Sequence, residues 1–288
     1  MILDHFAKFK APRWSGSLLN IFLDAVFPPK CLVCSRLFKP AIKHPANERL
    51  PDVTTKITDL FAKSYRLLTS FCCQDCVNAF AAIPSPMCTC CGAPLKSRQD
   101  QNHLCGDCIA RPKKFRMARA AMAFDQQLMA VIHRFKYAAK TQLAKPLGGL
   151  MLSVFMRQWE GEEVDFVLPV PLHPQKFRKR GFNQSYLLIR SWKALADAKH
   201  ITLPDIPIHT DVLIRTRATV PQTGLGRRQR LKNVKGVFSL RFPEKVYGKK
   251  LLVVDDVYTT GATVNECART LLKFGAERVD VLTLARAI

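Results

Sequence analysis

The stretch LLVVDDVYTTGAT at residues 251–263 constrains the fold more than any other part of the chain. Its first four residues are apolar, which is typical of a parallel strand buried on both faces. Asp255 and Asp256 follow where we expect this strand to end. A hydroxyl-rich loop comes next, with Gly261 free to take positive φ and an amphipathic helix expected to open at Thr263. The stretch therefore predicts a strand, a polar loop and a helix.

The helix after this loop favours an anion at its start. Its apolar residues recur at helical spacing, and Gly275 follows the last turn: Val264, Cys267, Ala268, Leu271 and Leu272. The free N–H groups and the dipole of the first turn attract a phosphate, and loop hydroxyls add directional hydrogen bonds. The predicted phosphate loop consists of Thr259, Thr260, Gly261, Ala262 and Thr263.

The two acids suit a different chemical group. Ionised carboxylates only accept hydrogen bonds, so Asp255 and Asp256 complement the two hydroxyls of a ribose diol. A diol and a phosphate together describe a ribose 5-phosphate. The alternative is a surface turn whose acids merely favour the start of the helix. A nucleotide in a Walker loop is not indicated, because the sequence contains no G-x-x-x-x-G-K-[ST] string.

Positive charge is concentrated in one region. The net charge is +23, and residues 171–250 hold 18 Lys/Arg against 4 Asp/Glu, a net charge of +14. Such an imbalance indicates a polyanionic partner, either nucleic acid or a phosphorylated substrate, with a solubilising surface as the alternative. Residues 215–233 are basic and rich in turn formers, so we expect a mobile flap there. Its nucleic-acid candidates are Arg227, Arg228 and Arg230.

Residues 164–185 form a second informative segment. A buried strand leads into a proline-rich loop, four cations follow within five residues, and a helix is expected near Asn183. Cations after a strand suit a pyrophosphate, and arginine offers a bidentate grip. Solvated surface charge is the alternative. The predicted pyrophosphate contacts are Pro171, Leu172, His173, Arg178 and Arg180.

A strand, a turn and two helices are predicted before this segment. The turn lies at Asp125, and the second helix covers residues 143–155. Lys136, near the end of the first helix, is a further candidate for a cation beside the ligand site. The first helix is expected to direct three apolar residues inward: Leu128, Ile132 and Phe135.

Ten of the eleven cysteines lie between Cys31 and Cys108. Eight of them form C-x-x-C pairs, a spacing that lets two sulfurs face one ion. No signal peptide is evident, so zinc is a better explanation than a disulfide-stapled module, which is the alternative. Two structural zinc sites are predicted, because zinc held by four thiolates has no open position. Their ligands are Cys31, Cys34, Cys73, Cys76, Cys88, Cys91, Cys105 and Cys108.

The pairing of these cysteine knuckles is open in the sequence. The third and fourth pairs, 13 residues apart, suit one ribbon, and the first two suit another around the long stretch 35–72. An interleaved pairing, in which the knuckles of the two zinc sites alternate along the chain, remains open. Cys72 and Cys90 are spare and serve in an alternative reading as substitute ligands or redox-active thiols. Cys267 is expected to be a core residue.

The motifs, taken in order, resemble the ComF (ComFC) family of competence proteins. They are the cysteine knuckles with CTCCGAPL, then FKYAAK, VPLHP, RGFNQS, the RTR…QTGL…R…N segment and DDVYTTGAT. The last also resembles the phosphoribosyl pyrophosphate (PRPP) loop of type I phosphoribosyltransferases. Lys176 departs from the family pattern, in which arginine is common. The resemblance implies an α/β fold: a type I phosphoribosyltransferase-like parallel sheet flanked by helices, preceded by a small cysteine-rich zinc-ribbon domain.

The resemblance also implies ligands and partners. It implies PRPP with Mg²⁺, structural zinc, single-stranded DNA in natural transformation or DNA utilisation, and other proteins of DNA uptake. We expect an N-terminal helix and double zinc ribbon over 1–110, a linker over 111–119 and the phosphoribosyltransferase-like domain over 120–288. The alternative function is a phosphoribosyltransferase of nucleotide salvage that transfers ribose 5-phosphate from PRPP to an unknown acceptor.

The apolar runs are too short to predict a membrane span, so we expect a cytoplasmic protein. An amphipathic segment at residues 18–27 is expected to pack against the cysteine module.

Overall fold

The computed structural model describes residues 29–39, 53–96, 101–220 and 226–288. The predicted amphipathic segment at residues 18–27 lies outside these ranges, as do residues 221–225 of the predicted flap. The described strands are β1 (Ala118–Ala123), β2 (Phe166–Pro169), β3 (Leu213–Arg215), β4 (Phe238–Leu240), β5 (Lys250–Tyr258) and β6 (Arg278–Arg286).

Helices connect and cover the strands. In the described part of the chain, no helix combines the length and the apolar character needed to cross a membrane. Short 3₁₀ turns occur at Leu68–Ser70, Thr141–Leu143 and Pro243–Lys245. The α-helices are α1 (Val53–Leu67), α2 (Gln74–Asn78), α3 (Gly106–Ala110), α4 (Gln126–Tyr137), α5 (Ala144–Gln158), α6 (Pro174–Arg180), α7 (Gln184–Ile189), α8 (Trp192–Asp197), α9 (Arg227–Val234) and α10 (Ala262–Lys273).

Four parallel strands form the central sheet in the order β1-β6-β5-β2. Parallel neighbours require crossover connections, which the helices provide. A separate antiparallel pair joins β3 to β4. The predicted α/β class, a parallel sheet flanked by helices, is confirmed.

The centre of the sheet is buried on both faces, as the apolar run predicted. Leu252 and Val254 of β5 belong to a core cluster with α4, α5, α7 and α8. Leu251 and Val253 belong to a second cluster with α10, β3 and β4. Alternate residues of β5 therefore pack against opposite layers.

The predicted turn and first helix are also confirmed. Asp125 caps α4, and its Oδ1 accepts a hydrogen bond from the Leu128 N–H at 2.7 Å. Leu128, Ile132 and Phe135 are buried on the inward face of α4. The helix predicted over residues 143–155 is α5.

β5 is longer than the sequence predicted. β2 stops opposite Val254, because its last pair is Pro169 with Val254. β6 continues beside β5, where Asp255 pairs with Thr283 and Tyr258 pairs with Arg286. The prediction of a strand ending at Val254 was wrong, because the two acids continue the ladder with β6 and apolar packing resumes at Val257 and Tyr258.

α1 lies in the long stretch between the first two cysteine pairs and was not predicted. It packs against α5, where a Cβ added at Gly149 would lie 2.1 Å from Ser64 Oγ. Leu60 of α1 is buried in the same core cluster as α5. This stretch therefore contributes to the helical layer over the central sheet. β1 begins at Ala118, so the last two residues of the predicted linker, 118 and 119, belong to the sheet.

Candidate functional site

Asp255 and Asp256, which we call the acid pair, are buried in β5 just beyond the end of β2. Asp255 Oδ1 accepts hydrogen bonds from Ser185 Oγ at 3.0 Å and from the Asp256 N–H at 2.9 Å. Asp256 Oδ2 forms an ion pair with Lys136 Nζ at 2.5 Å. That oxygen lacks an aligned hydrogen bond among the described residues, so it keeps accepting capacity.

The acid pair is an unfavourable arrangement for a folded protein without a ligand. Burial, and then the neighbouring Asp256 carboxylate, raise the pKa of Asp255 to about 7. Carboxyls perturbed in this way are concentrated at functional sites. Lys136, a candidate cation in the sequence, is the residue that faces the pair.

The predicted phosphate loop, residues 259–263, joins β5 to α10. Gly261 caps α10 with φ 74°, and a Cβ there would lie 2.3 Å from Tyr258 Oη. Both the left-handed backbone and the limited space therefore require glycine. Thr260 Oγ1 accepts a hydrogen bond from the Ala262 N–H at 3.4 Å, and Thr263 lies in the first turn of α10.

The four predicted loop cations lie on a helix and not on a loop. α6 begins with Pro174 at its first position, and the His173 ring accepts a hydrogen bond from the Gln175 N–H at 3.4 Å. Gly181 ends the helix with φ 82°. The loop prediction was wrong because a proline at the first helical position and a glycine after the last are compatible with a short helix.

Pro171, Leu172 and His173 connect β2 to α6, with Pro171 buried and the other two half-buried. The next predicted helix, α7, begins where the sequence placed it. Asn183 Oδ1 accepts a hydrogen bond from the Ser185 N–H at 2.9 Å, which orients the turn that carries the Ser185 hydroxyl toward Asp255.

Four cations gather beside the acid pair. Partial desolvation, and then the charges of Arg180, Arg215 and Lys136, lower the pKa of Lys176, so each of these three cations lies within electrostatic reach of Lys176. We call these four residues the cation cluster. Lys176 and Arg180 are one helical turn apart. Arg178 is two residues from each and lies on the opposite face of α6.

Arg215 is the member of the cation cluster that sequence reasoning did not single out. It ends β3, and burial lowers its pKa although Cys267 and Asp255 oppose that shift. Its Nη2 donates to Thr219 Oγ1 at 2.5 Å, whereas its Nε has no partner in the described structure. A buried donor without a partner is costly, and an anionic ligand would relieve that cost. In the sequence it belonged to a basic string and opened the RTR…QTGL…R…N motif.

The nucleic-acid candidates lie at the start of α9. Arg228 is exposed and Arg230 is half-buried, while the side chain of Arg227 is outside the described part. Part of the predicted mobile flap is therefore helical.

Cysteine sulfurs form two groups whose ligand atoms lie within 4.8 Å of one another. The grouping follows chain order, so interleaved pairing is excluded. Neither Cys72 nor Cys90 belongs to a group. The first quartet is Cys31, Cys34, Cys73 and Cys76, and the second quartet is Cys88, Cys91, Cys105 and Cys108.

The quartets fit zinc in size. Cys34 and Cys73 have their sulfurs 3.7 Å apart, and Cys91 and Cys105 have the same separation. A tetrahedral zinc ion with Zn–S bonds of ~2.3 Å requires sulfurs about 3.8 Å apart. Four thiolates leave no position for substrate, so the metal would be structural.

Backbone N–H groups stabilise a thiolate in each quartet. Cys31 Sγ accepts from the Val33 N–H at 3.4 Å, and Cys88 Sγ accepts from the Cys105 N–H at 3.3 Å. Burial opposes ionisation, but backbone hydrogen bonds outweigh it and lower the pKa of Cys31 and of Cys88 to about 6. These cysteines are suited to bind a metal ion.

The remaining cysteines have no features of reactive groups. Burial raises the pKa of Cys72 to about 12, and it raises the pKa of Cys90 and Cys267 as well. Cys267 is fully enclosed in the core, as its position in α10 predicted. Both quartets are complete, so neither spare cysteine is needed as a ligand.

Comparisons with known proteins agree with this geometry. The family described as phosphoribosyl transferase domain matches residues 206–288, which include the acid pair and the phosphate loop. The DNA utilization protein YhgH of Escherichia coli O6:H1 is 32% identical over 220 residues, which cover 75% of this chain and 90% of that protein.

Other relatives have related names. Competence protein F of Haemophilus influenzae is 28% identical, with 75% of this chain and 89% of that protein covered. Competence protein ComFC of Bacillus subtilis is 27% identical, with 75% and 84% covered. A solved glutamine PRPP amidotransferase from B. subtilis is 21% identical, with a TM-score of 0.32 over 52% of this chain and 30% of that one.

We expect the purified protein to contain about two zinc ions. Cys88→Ser should remove one of them, because Cys88 belongs to the second quartet. Cys90→Ser is the matched control and should keep both, because Cys90 lies outside the quartets. Elemental analysis of the folded variants measures this. Equal zinc content in the two variants would contradict the ligand assignment.

Asp255→Asn should stabilise the folded protein at neutral and alkaline pH. Asparagine keeps the oxygen that accepts from Ser185 but cannot ionise. The pKa of Asp255 is about 7 in the folded state and about 3.9 in the unfolded state. Its ionisation therefore lowers stability progressively as pH rises from about 4 to 7, and the loss is constant above pH 7.

Melting temperatures between pH 4 and 8 test this. The advantage of Asp255→Asn over the parent should grow up to about pH 7 and then level off. Asp165→Asn is a control that should act in the opposite direction. A hydrogen bond from the Lys250 N–H lowers the pKa of Asp165, so removing this carboxylate should destabilise the folded protein. An advantage of Asp255→Asn that does not change with pH would contradict the assignment.

Proposed function

The chain belongs to the ComF family of competence and DNA utilization proteins, and from this premise we propose that it binds PRPP with Mg²⁺ and handles single-stranded DNA. The observation that carries the first part is the acid pair, buried beside a phosphate loop and faced by the cation cluster. Together these groups provide acceptors at one end of a site and cations at the other.

PRPP has three chemically distinct parts, and the site offers a partner for each. The acid pair accepts hydrogen bonds from the ribose hydroxyls. The phosphate loop and the free N–H groups of α10 receive the 5-phosphate. The diphosphate lies against the cation cluster, where Arg180 and Arg215 offer planar donors. Each of these contacts pairs opposite charges or a donor with an acceptor.

The donor set also fits Mg²⁺. Asp256 Oδ2 keeps accepting capacity, and Mg²⁺ in proteins is usually held by one or two carboxylates together with substrate phosphates. The ion supplies neutralisation of the diphosphate charge when bound. Asp256 is therefore the residue we assign to it.

A phosphoribosyltransferase of nucleotide salvage is the alternative for the same site. The cation cluster would then stabilise the diphosphate as it leaves the ribose. Two cavities in the described structure, about 700 and 480 Å³, are lined mainly by residues around α1 and α5 and not by the acid pair. We favour binding in a DNA-handling protein because the relatives of this chain are named as DNA utilization and competence proteins.

The surface of α6 supports the DNA part of the proposal. None of its residues is buried, and it carries four cations and no acid. Phe177 is 46% exposed, and nearby Tyr137 is 62% exposed with its ring 5.1 Å from the Arg180 guanidinium. Exposed rings stack unpaired bases, while cations neutralise the backbone. The basic flap begins at Arg215, within electrostatic reach of Lys176 on α6.

PRPP binding should depend on the acid pair. Asp255→Asn combined with Asp256→Asn should weaken binding by more than about 100-fold, because hydrogen bonds to charged groups contribute about 1.5–3 kcal/mol each. Thr263→Ala should weaken it about 2- to 10-fold, on the neutral scale of about 0.5–1.5 kcal/mol. Titration calorimetry with PRPP and Mg²⁺ measures both effects.

Zinc content and circular dichroism serve as controls for the fold of these variants. If the double variant bound PRPP with the affinity of the unsubstituted protein, the assignment of the acid pair to the ribose hydroxyls would be contradicted. Pyrophosphate release from PRPP in the presence of a panel of nitrogenous bases would favour the transferase alternative.

Single-stranded DNA binding should weaken steeply with salt. A surface that neutralises ~4–6 phosphates gives a slope of log affinity against log salt of roughly −3 to −4. Replacing Arg227, Arg228 and Arg230 together by alanine should lower the affinity and make that slope shallower. Fluorescence anisotropy at several salt concentrations provides both values.

The matched control removes three exposed cations from other helices: Arg157, Lys193 and Lys273. It changes the net charge equally, so a specific contact predicts a smaller loss than for the arginine triple. If the two triple variants lost the same DNA affinity, the flap would contribute only general electrostatic attraction and no specific contact.

A further inference from the structure

Arg286 is a buried cation at the end of β6, only 7% exposed. Its Nη2 donates to Cys91 Sγ of the second quartet at 3.3 Å. Its Nε and Nη1 have no hydrogen-bond partner in the described part of the chain. A buried guanidinium is costly unless negative charge faces it. Among the described residues, the sulfur of Cys91 accepts a hydrogen bond from this side chain.

The second quartet can supply that negative charge when it holds zinc. Four thiolates around one divalent ion carry a net charge of about −2. Arg119 of β1 lies on the same side: its Nη1 donates to the Thr89 carbonyl oxygen at 3.1 Å. Burial lowers the pKa of Arg119, and the Cys88 charge opposes that shift. Two arginines of the central sheet therefore face one metal site.

The other side of Arg286 contacts the residue that supports the phosphate loop. Its guanidinium carbon is 4.3 Å from the centre of the Tyr258 ring. The Tyr258 ring is buried, and its hydroxyl lies where a Cβ on Gly261 would be only 2.3 Å away. Phe115 packs edge-on against the same ring at 6.2 Å. Tyr258 thus fills the space between Arg286 and the loop.

The two quartets differ in their relation to this loop. Cys88 and Cys91 share a core cluster with Tyr258 and Ala262. Cys31 of the first quartet belongs to the other cluster, on the opposite face of the sheet. Packing therefore continues from the second quartet to the phosphate loop, and the first quartet provides a natural comparison.

We propose that Arg286 is a positioning residue that couples metal binding at the second quartet to ligand binding at the phosphate loop. Metal-bound thiolates hold the guanidinium, the guanidinium holds the Tyr258 ring, and the ring sets the position of Gly261. Coupling between binding sites is reciprocal, so bound PRPP must in turn retain the metal of the second quartet. This inference rests on the proposed PRPP site.

Zinc release from the full-length protein tests the coupling. A zinc-selective chelator is added in the presence of Mg²⁺, with and without saturating PRPP. The rate of zinc release is measured from the absorbance of the zinc–chelator complex. PRPP should slow release from the second quartet by about fivefold or more, the lower range of typical coupling, and leave the first quartet unchanged. Cys34→Ser, which disables the first quartet, should keep the slowed phase, whereas Cys105→Ser should remove it.

Arg286→Leu should abolish the protection by PRPP and weaken PRPP binding, and Arg286→Lys should restore part of both. Arg119→Leu is the matched control, because Arg119 faces the quartet without contacting Tyr258. It should speed zinc release but preserve PRPP affinity and protection. If a variant fails to fold, the slowing of zinc release by PRPP in the unsubstituted protein still tests the coupling.

Two results separate this inference from the proposed function. Absence of PRPP binding by the unsubstituted protein in calorimetry would overturn both. Normal PRPP binding with equal protection of the two quartets, or with no protection of either, would overturn the coupling alone. If the Arg286→Leu variant kept the full affinity for PRPP and the full protection of zinc in the second quartet, the coupling would also be overturned.

Discussion

Two carboxylates buried side by side toward the carboxyl end of an interior strand of the parallel sheet are the constraint on which the rest of the structure depends. β2 stops before Asp255 and Asp256, which leaves that edge of β5 open beside them. Burial, and then the neighbouring Asp256 carboxylate, raise the pKa of Asp255 and cost stability. Ser185 and Lys136 reduce that cost only in part. We propose that a ligand whose hydroxyls and bound cation complete the arrangement offsets the remaining cost.

Local patterns in the sequence were sufficient for the parts of the site that lie close together in the chain. The apolar run, the acids and the helix after Gly261 follow one another, and pairs of cysteines with two residues between them predict metal knuckles. The length of β5 could not be predicted in this way, because it depends on pairing with β6. Arg215 and Arg286 were missed for the same reason: each acquires its role from strands that meet only in the fold.

The cysteine region is part of the architecture of the sheet. The Ala118 N–H of β1 donates to the Cys90 carbonyl oxygen at 2.7 Å, and a Cβ at Gly92 would lie 2.7 Å from the Ala118 carbonyl oxygen. The second quartet is therefore attached to the sheet by backbone contacts as well as by Arg286. A structural metal at this place would support the side of the sheet that carries the phosphate loop.

The central claim is that the site has a carboxylate end for ribose and a cationic end for diphosphate. Calorimetry with ribose 5-phosphate alone and with Mg²⁺-pyrophosphate alone tests it most directly. The account predicts a crossed pattern: Asp255→Asn with Asp256→Asn weakens ribose 5-phosphate more, whereas Lys176→Ala with Arg180→Ala weakens pyrophosphate more. If both double variants weakened both ligands to the same extent, or neither ligand were affected, the assignment of the two ends would be contradicted.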